Sequence, residues 1–143
     1  MKKLIIIFLF LVLILFLYMG PLKNFVKKGK KLEIIETFRI MDRVGEAVET
    51  YIIDWGQAPK ARTYQELSRI LKEKYEIELP ENDKWGNKLI YRINNKNSYE
   101  LISPGKDKKI GTADDIIYKD GEFEINKKNK IIFSALKDYL KEE

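Results

Sequence analysis

Ser103-Pro104-Gly105-Lys106-Asp107-Lys108-Lys109-Ile110-Gly111-Thr112-Ala113-Asp114-Asp115-Ile116 joins two strand-like segments and sets Asp107 seven residues before the adjacent pair Asp114 and Asp115. Gly105 and Gly111 give such a loop the freedom to fold back, so that three carboxylates converge. Like charges placed together repel unless a cation lies among them. Oxygen donors without nitrogen or sulfur suit calcium rather than a transition metal. The spacing is not that of an EF-hand, which alternates acidic positions around a central glycine and ends in glutamate. An acidic surface turn, with Asp side chains bonded to nearby amides, is the alternative reading of the same residues.

Just upstream stands Asp83-Lys84-Trp85-Gly86-Asn87-Lys88-Leu89-Ile90-Tyr91-Arg92, followed by a polar turn and Ser98-Tyr99-Glu100-Leu101-Ile102-Ser103. The succession resembles the globular domain of the major pseudopilin of bacterial type II secretion systems, within the type IV pilin-like superfamily. The resemblance runs from about Ile34 to Tyr118 and is strongest over Asp83 to Ile116. In that family an Asp-Pro-Trp-Gly turn opens a small antiparallel sheet, and a Ser-x-Gly-x-Asp-Gly-x-x-Gly-Thr-x-Asp-Asp-Ile loop binds calcium.

The resemblance implies an α+β, pilin-like fold: a long N-terminal helix packed on a small antiparallel sheet, with an N-terminal membrane anchor. It also implies Ca2+ as the bound ion, with Asp107, Asp114 and Asp115 as carboxylate ligands and the main-chain carbonyls of Pro104 and Lys109 as further oxygens. Two positions depart from the pattern. Lys84 stands where the family commonly has proline, and Lys108 where it commonly has the glycine after the first aspartate. Neither change removes a carboxylate. At a separation of about 4 Å and an effective dielectric near 20, a pair of unit charges interacts by about 4 kcal/mol, so Lys106, Lys108 and Lys109 must point outward for an ion to bind.

After Met1-Lys2-Lys3, Leu4 to Met19 carries no charge. As a helix this run spans about 24 Å, somewhat short of a hydrocarbon core of about 30 Å. Gly20, Pro21, Leu22 and snorkelling lysines complete the span. A cleaved secretory signal also begins with basic residues and an apolar run, but Tyr18-Met19-Gly20-Pro21-Leu22 offers no small-x-small site, which favours an uncleaved anchor over residues 1–21. Pseudopilins carry a basic leader followed by Gly-Phe-Thr-Leu-x-Glu, cut after the glycine, with the glutamate registering each subunit in the filament. That hexapeptide does not occur here, and the apolar run holds no glutamate.

The formal net charge of +5 is unevenly spread: residues 1–31 hold seven lysines and no acid, leaving 20 basic against 22 acidic side chains in the other 112 residues. Lys23, Lys27, Lys28, Lys30 and Lys31 lie beside the apolar run without interleaved aromatics other than Phe25. This favours anionic lipid over nucleic acid. Five lysines after the span against two before it favour a cytoplasmic domain by the positive-inside tendency. The resemblance implies the opposite, and a sparsely charged calcium loop suits the higher calcium outside a cell. The expected placement is therefore the bacterial inner membrane, single-pass, with the C-terminal domain extracytoplasmic.

Residues 22–143 are expected to form one pilin-like domain, since about 110 residues suffice for one core. A stalk helix is expected over about 22–55, because Ile34, Phe38, Met41, Val44, Gly45, Val48, Tyr51, Ile52 and Trp55 recur at intervals of three and four. Glu33, Glu36, Arg39, Asp42, Arg43, Glu46 and Glu49 take the other face. An ordinary core helix after a linker fits the same periodicity. The head, about 56–126, opens with a capping box, Thr63-Tyr-Gln-Glu66. This begins a helix to about Tyr75 with Leu67, Ile70 and Leu71 inward.

Four strands follow, near Leu89 to Ile93, Tyr99 to Ser103, Ile116 to Tyr118 and Glu122 to Ile125, with an Asp120-Gly121 hairpin turn between the last two. Trp85 with Gly86 plugs the seam between helix and sheet. A helix over about 131–143, with Ile131, Ile132, Ala135, Leu136, Tyr139 and Leu140 on one face, adds to the family core; it covers a sheet edge or docks a partner.

The chain has no histidine and no cysteine, which removes disulfides, the usual triads, thiol nucleophiles and zinc sites. There is no phosphate-cradling glycine loop. No catalytic activity and no small-molecule substrate are expected. The expected function is that of a membrane-anchored, calcium-binding pseudopilin-like structural subunit of a type II secretion or pilus-like apparatus. Its partners would be the bilayer, through residues 4–19, and its own copies or other pilin-like subunits. The alternative is a non-polymerising anchored domain that uses a pilin-like head to bind a partner.

Overall fold

The computed structural model of the chain describes residues 23–141. The elements run α1 (Lys2–Trp55), α2 (Tyr64–Tyr75), β1 (Ile90–Asn95), β2 (Ser98–Ser103), β3 (Ile116–Lys119), β4 (Glu122–Glu124) and α3 (Lys130–Tyr139). This is the α+β, pilin-like order read from the sequence. Two compact units are present, Met1–Leu32 and Glu33–Glu143. In the first, Lys23, Lys27, Lys28 and Lys30 are exposed, as are Phe25 and Leu32. Among the described residues no helix is long and apolar enough to cross a membrane. The run Leu4–Met19, on which the expected anchor rests, lies outside them.

In the second unit α1 buries Ile34, Phe38, Met41, Val44 and Val48, spaced three and four apart, so their side chains form one stripe. Gly45 lies on that stripe where a Cβ would come within 2.2 Å of the Tyr118 ring, so the absence of a side chain sets how closely helix and sheet approach. The stripe ends earlier than its period implies. Trp55 is 52 % exposed, because in the helix's last turn its ring lies against Tyr51, with centroids 5.8 Å apart. The ammonium of Lys74 stands 4.4 Å from the Trp55 ring centroid, a cation–π contact that takes the place of core burial.

Two acids assigned to the solvent face of α1 instead serve buried tyrosines. Asp42 accepts from the Tyr139 hydroxyl at 2.8 Å, and Glu49 from the Tyr99 hydroxyl at 3.2 Å. A buried phenol needs such an acceptor.

The cap of α2 forms as read: the Thr63 hydroxyl accepts from Glu66 N at 3.2 Å. The Glu66 carboxylate reaches back one residue further than in a standard box and accepts from Arg62 N at 2.8 Å. Leu67 and Leu71 are buried, and Ile70 is partly so; Tyr64, at the first turn, is buried with them.

The sheet is an antiparallel meander in the order β1-β2-β3-β4. Ile90 lies opposite Ile102, Leu101 opposite Tyr118, and Tyr118 opposite Phe123. Tyr91, Tyr99, Leu101, Ile116 and Tyr118 are buried. β1 begins one residue later than expected and extends to Asn95. The Asp120-Gly121 turn has φ of 48° and 91°, the paired left-handed conformation of a two-residue hairpin. Asp120 also closes the other end of the sheet, accepting from Ser98 Oγ and Tyr99 N, both at 2.8 Å.

α3 packs Ile132, Ala135 and Tyr139 inward. The Tyr139 ring lies 5.6 Å from Phe38 and 6.0 Å from Phe123, which joins α3 to α1 and to the edge strand β4. Ile131 and Leu140, expected on this face, are 43 % and 56 % exposed. They flank the stripe, which at helical spacing is only wide enough for the central residues. The helix closes at Tyr139, earlier than the expected 143.

Candidate functional site

The turn at Asp83 and the acidic loop are built as one structure. Gly86, at φ 78°, closes the turn by donating from its N–H to the Asp83 carbonyl at 3.1 Å. Asp83 is 5 % exposed, and its carboxylate is fully engaged. Oδ1 accepts from Trp85 N at 2.9 Å and Asn87 N at 2.8 Å, while Oδ2 accepts from Asn87 Nδ2 at 2.9 Å and Ser103 Oγ at 2.7 Å. Four donors satisfy a buried carboxylate without a cation.

Lys84, in the position where proline is common, uses the N–H that proline lacks: it donates to Thr37 Oγ1 at 3.3 Å. Thr37 is itself buried on α1 and donates to Glu33 O at 2.9 Å. Trp85 is partly buried against the core, as expected of a plug, and its indole N–H donates to Glu33 Oε2 at 3.1 Å.

From this turn one bond reaches Gly105 directly, and a second link runs through Ser103, whose hydroxyl donates to Asp83. Asn87 Nδ2 donates to the Gly105 carbonyl at 2.7 Å, and Gly105 N donates to Ser103 Oγ at 3.2 Å. Gly105 has φ 68°, and a Cβ there would lie 2.2 Å from the Asp114 carbonyl oxygen. Both conformation and proximity therefore demand glycine. Pro104 beside it is buried.

The three expected ligands stand around the loop's own backbone. Asp107 N donates to Asp114 Oδ2 at 3.0 Å, which joins the two limbs of the loop. Asp107 Oδ1 accepts from Lys109 N at 2.9 Å, and Asp115 Oδ2 from Gly111 N at 2.7 Å. Thr112 Oγ1 approaches the Lys109 carbonyl at 3.4 Å and accepts from Asp114 N at 3.2 Å. Asp107 is exposed, Asp114 half-buried and Asp115 8 % exposed. Lys106, Lys108 and Lys109 are all exposed, as the charge argument required.

Among the described residues no three acidic side chains are grouped closely enough to hold a metal ion. The bond from Asp107 N to Asp114 Oδ2 brings two of the three acids together across the loop. The donor chemistry still fits a hard cation. It consists of carboxylate and carbonyl oxygens, and a carboxylate offers about four acceptor sites, of which the amide bonds above take only some.

Lys108 has φ 62°. The position where the family commonly has glycine is therefore left-handed here, and a lysine occupies it at a cost of about 1–2 kcal/mol. Three further residues support the site without having been singled out from the sequence. Asn87 and Ser103 lie within the quoted stretches but look like ordinary turn polars. Asn129 sits fifteen residues after Asp114, and its Nδ2 donates to Ala113 O at 3.1 Å and approaches Asp114 Oδ1 at 3.5 Å.

Comparison with curated proteins and with solved structures gave no significant match. The family whose model matches is described as "Type II secretion system (T2SS), protein G", and the match covers residues 24–119, more than half of the chain. It takes in the described stalk from Asn24, the turn at Asp83, the whole acidic loop and β3, and it stops before β4 and α3. With the long helix, the four-stranded meander and the turn-and-loop pair all in place, the chain belongs to the type II secretion system protein G family of pseudopilins, which are structural rather than catalytic subunits.

Proposed function

We propose that this pseudopilin is a membrane-anchored, calcium-stabilised subunit that packs with its own copies or with other pilin-like subunits of a type II secretion or pilus-like apparatus. Residues 4–19 would lie in the bacterial inner membrane, Lys23, Lys27, Lys28 and Lys30 against anionic headgroups, and the domain outside the cytoplasm. The observation that supports the calcium reading most is the oxygen-lined loop from Gly105 to Asp115, tied shut by the Asp107–Asp114 bond and clamped to the Asp83 turn through Gly105. Asp107, Asp114 and Asp115, with the carbonyls of Pro104 and Lys109, would hold the ion. Bound calcium would neutralise the acids and fix the loop.

Chemical crosslinking in intact membranes tests the subunit reading. A ladder of oligomers is expected. A single uncoupled species in cells that assemble the apparatus would favour a non-polymerising anchored domain instead. Intact-mass measurement of the extracted protein tests the anchor: retention of residues 1–20 is expected, and their loss would identify a cleaved leader.

A further inference from the structure

The acidic loop is tied to α3 through one side chain. Asn129 caps α3, its Oδ1 accepting from Ile132 N at 3.2 Å. The other half of the same amide faces the loop, where Nδ2 donates to Ala113 O at 3.1 Å and approaches Asp114 Oδ1 at 3.5 Å. Asp114 is also the residue that closes the loop, since its Oδ2 accepts from Asp107 N at 3.0 Å and its carbonyl oxygen packs on Gly105. A planar amide has one orientation that satisfies both duties, so anything that fixes the Ala113–Asp114 segment also fixes the acceptor at the start of α3.

We infer that cation binding in the loop and docking of α3 favour each other through the Asn129 amide. The inference rests on the calcium reading above and adds a route by which the ion reaches a helix outside the matched family segment. An ordered Ala113 carbonyl holds Asn129 with its Oδ1 aimed at Ile132 N. A docked α3 holds Asn129 with its Nδ2 aimed at the loop. Whichever forms first meets the ordering cost for the other. The Ala113 carbonyl is the shorter contact and is distinct from the carboxylate, so an ion drawing on Asp114 leaves that tie in place. The far end of α3 is fixed independently, by the Tyr139 hydroxyl on Asp42 at 2.8 Å, so the coupling is expected in the first turns and not along the whole helix. Coupling between two sites is reciprocal, and disturbing α3 must weaken the ion by the same factor that the ion strengthens α3.

The test uses the full chain in detergent micelles, with calcium chloride as the probe. Hydrogen exchange is read at the amides of residues 132–136, and calcium affinity by titration calorimetry. In the unchanged chain calcium should slow exchange there by at least about fivefold, the lower end for coupled sites. Asn129→Ser keeps a hydroxyl acceptor for the cap but removes the donor to the loop. It should lose most of that slowing and bind calcium more weakly by a similar factor. Ala135→Glu, which undocks α3 while leaving Asn129 intact, should weaken calcium likewise. Calcium uptake without slower exchange at 132–136, or equal slowing in Asn129→Ser, overturns the coupling alone. No calcium uptake by the unchanged chain overturns the coupling together with the reading beneath it.

Discussion

The side-chain amide of Asn87 donates to the Gly105 carbonyl across 2.7 Å, and the same nitrogen donates to Asp83 Oδ2 at 2.9 Å. A buried carboxylate that faces only neutral donors is thereby connected, through one amide, to the loop that carries Asp107, Asp114 and Asp115. Ser103 runs beside it as a second link, donating to Asp83 Oδ2 and accepting from Gly105 N. The acidic loop therefore has a fixed root whether or not an ion occupies it.

Asn87→Ala removes both bonds, leaving the buried Gly105 carbonyl with only the long 3.4 Å bond from Lys108 N and Asp83 Oδ2 with Ser103 Oγ as its one donor. The expected cost is about 1–3 kcal/mol for the under-satisfied groups. Urea denaturation should show a lower midpoint with an unchanged slope. An unaltered midpoint would show that the network does not support the fold.

Lys108→Gly should raise stability. Lys108 is held at φ 62°, which glycine adopts without steric cost, although glycine gives up some conformational entropy on folding. A net gain of about 0.5–1 kcal/mol is expected, read as a higher melting temperature in calcium-free buffer.

Gly45→Ala sets two effects against each other. Alanine is the better helix former by about 1 kcal/mol, but its Cβ would lie 2.2 Å from the Tyr118 ring. Overpacking commonly costs about 1–3 kcal/mol, so net destabilisation is expected. Gly45→Ala with Tyr118→Leu should recover part of the loss, which a double-mutant cycle would detect.

Stability should fall at alkaline pH. Burial raises Tyr64, Tyr91 and Tyr99 well above the usual phenol range, and Glu49 raises Tyr99 further. Above about pH 10 the unfolded chain loses these protons while the folded chain keeps them, so unfolding gains with each further pH unit. The contribution is fully present below pH 10 and declines above it by up to about 1.4 kcal/mol per unit for each tyrosine. Denaturation curves between pH 9 and 12 should show this slope, reduced in Tyr99→Phe.

Much of the fold was legible because its signals are periodic or local. The stripe Ile34-Phe38-Met41-Val44-Val48, the Thr63 cap and the Asp120-Gly121 turn each follow from spacing and turn chemistry alone, and the structure places each as read. The ends of the stripes were less legible. Trp55, Ile131 and Leu140 match the helical period, yet how far a core extends depends on which elements lie opposite, and spacing carries no information about that. The supporting residues were least legible. Asp42 and Glu49 read as solvated helix acids because the tyrosines that need them lie 97 and 50 residues away. Nothing near Asn129 in the sequence marks its tie to Ala113 O, 16 residues earlier. The loop's three aspartates stand out in the sequence, whereas the amides they accept from, Lys109 N for Asp107 and Gly111 N for Asp115, depend on backbone detail.

The most direct test of the account is the melting temperature of the full chain in micelles, with and without millimolar calcium, for the unchanged protein and for Asp114→Ala with Asp115→Ala. At a free concentration about 100 times its dissociation constant, an ion adds about 2.7 kcal/mol, several degrees for a domain of this size. The account predicts that gain in the unchanged chain, none with magnesium at equal concentration, and none with calcium in the double variant. An unchanged chain that melts at the same temperature with and without calcium would contradict it.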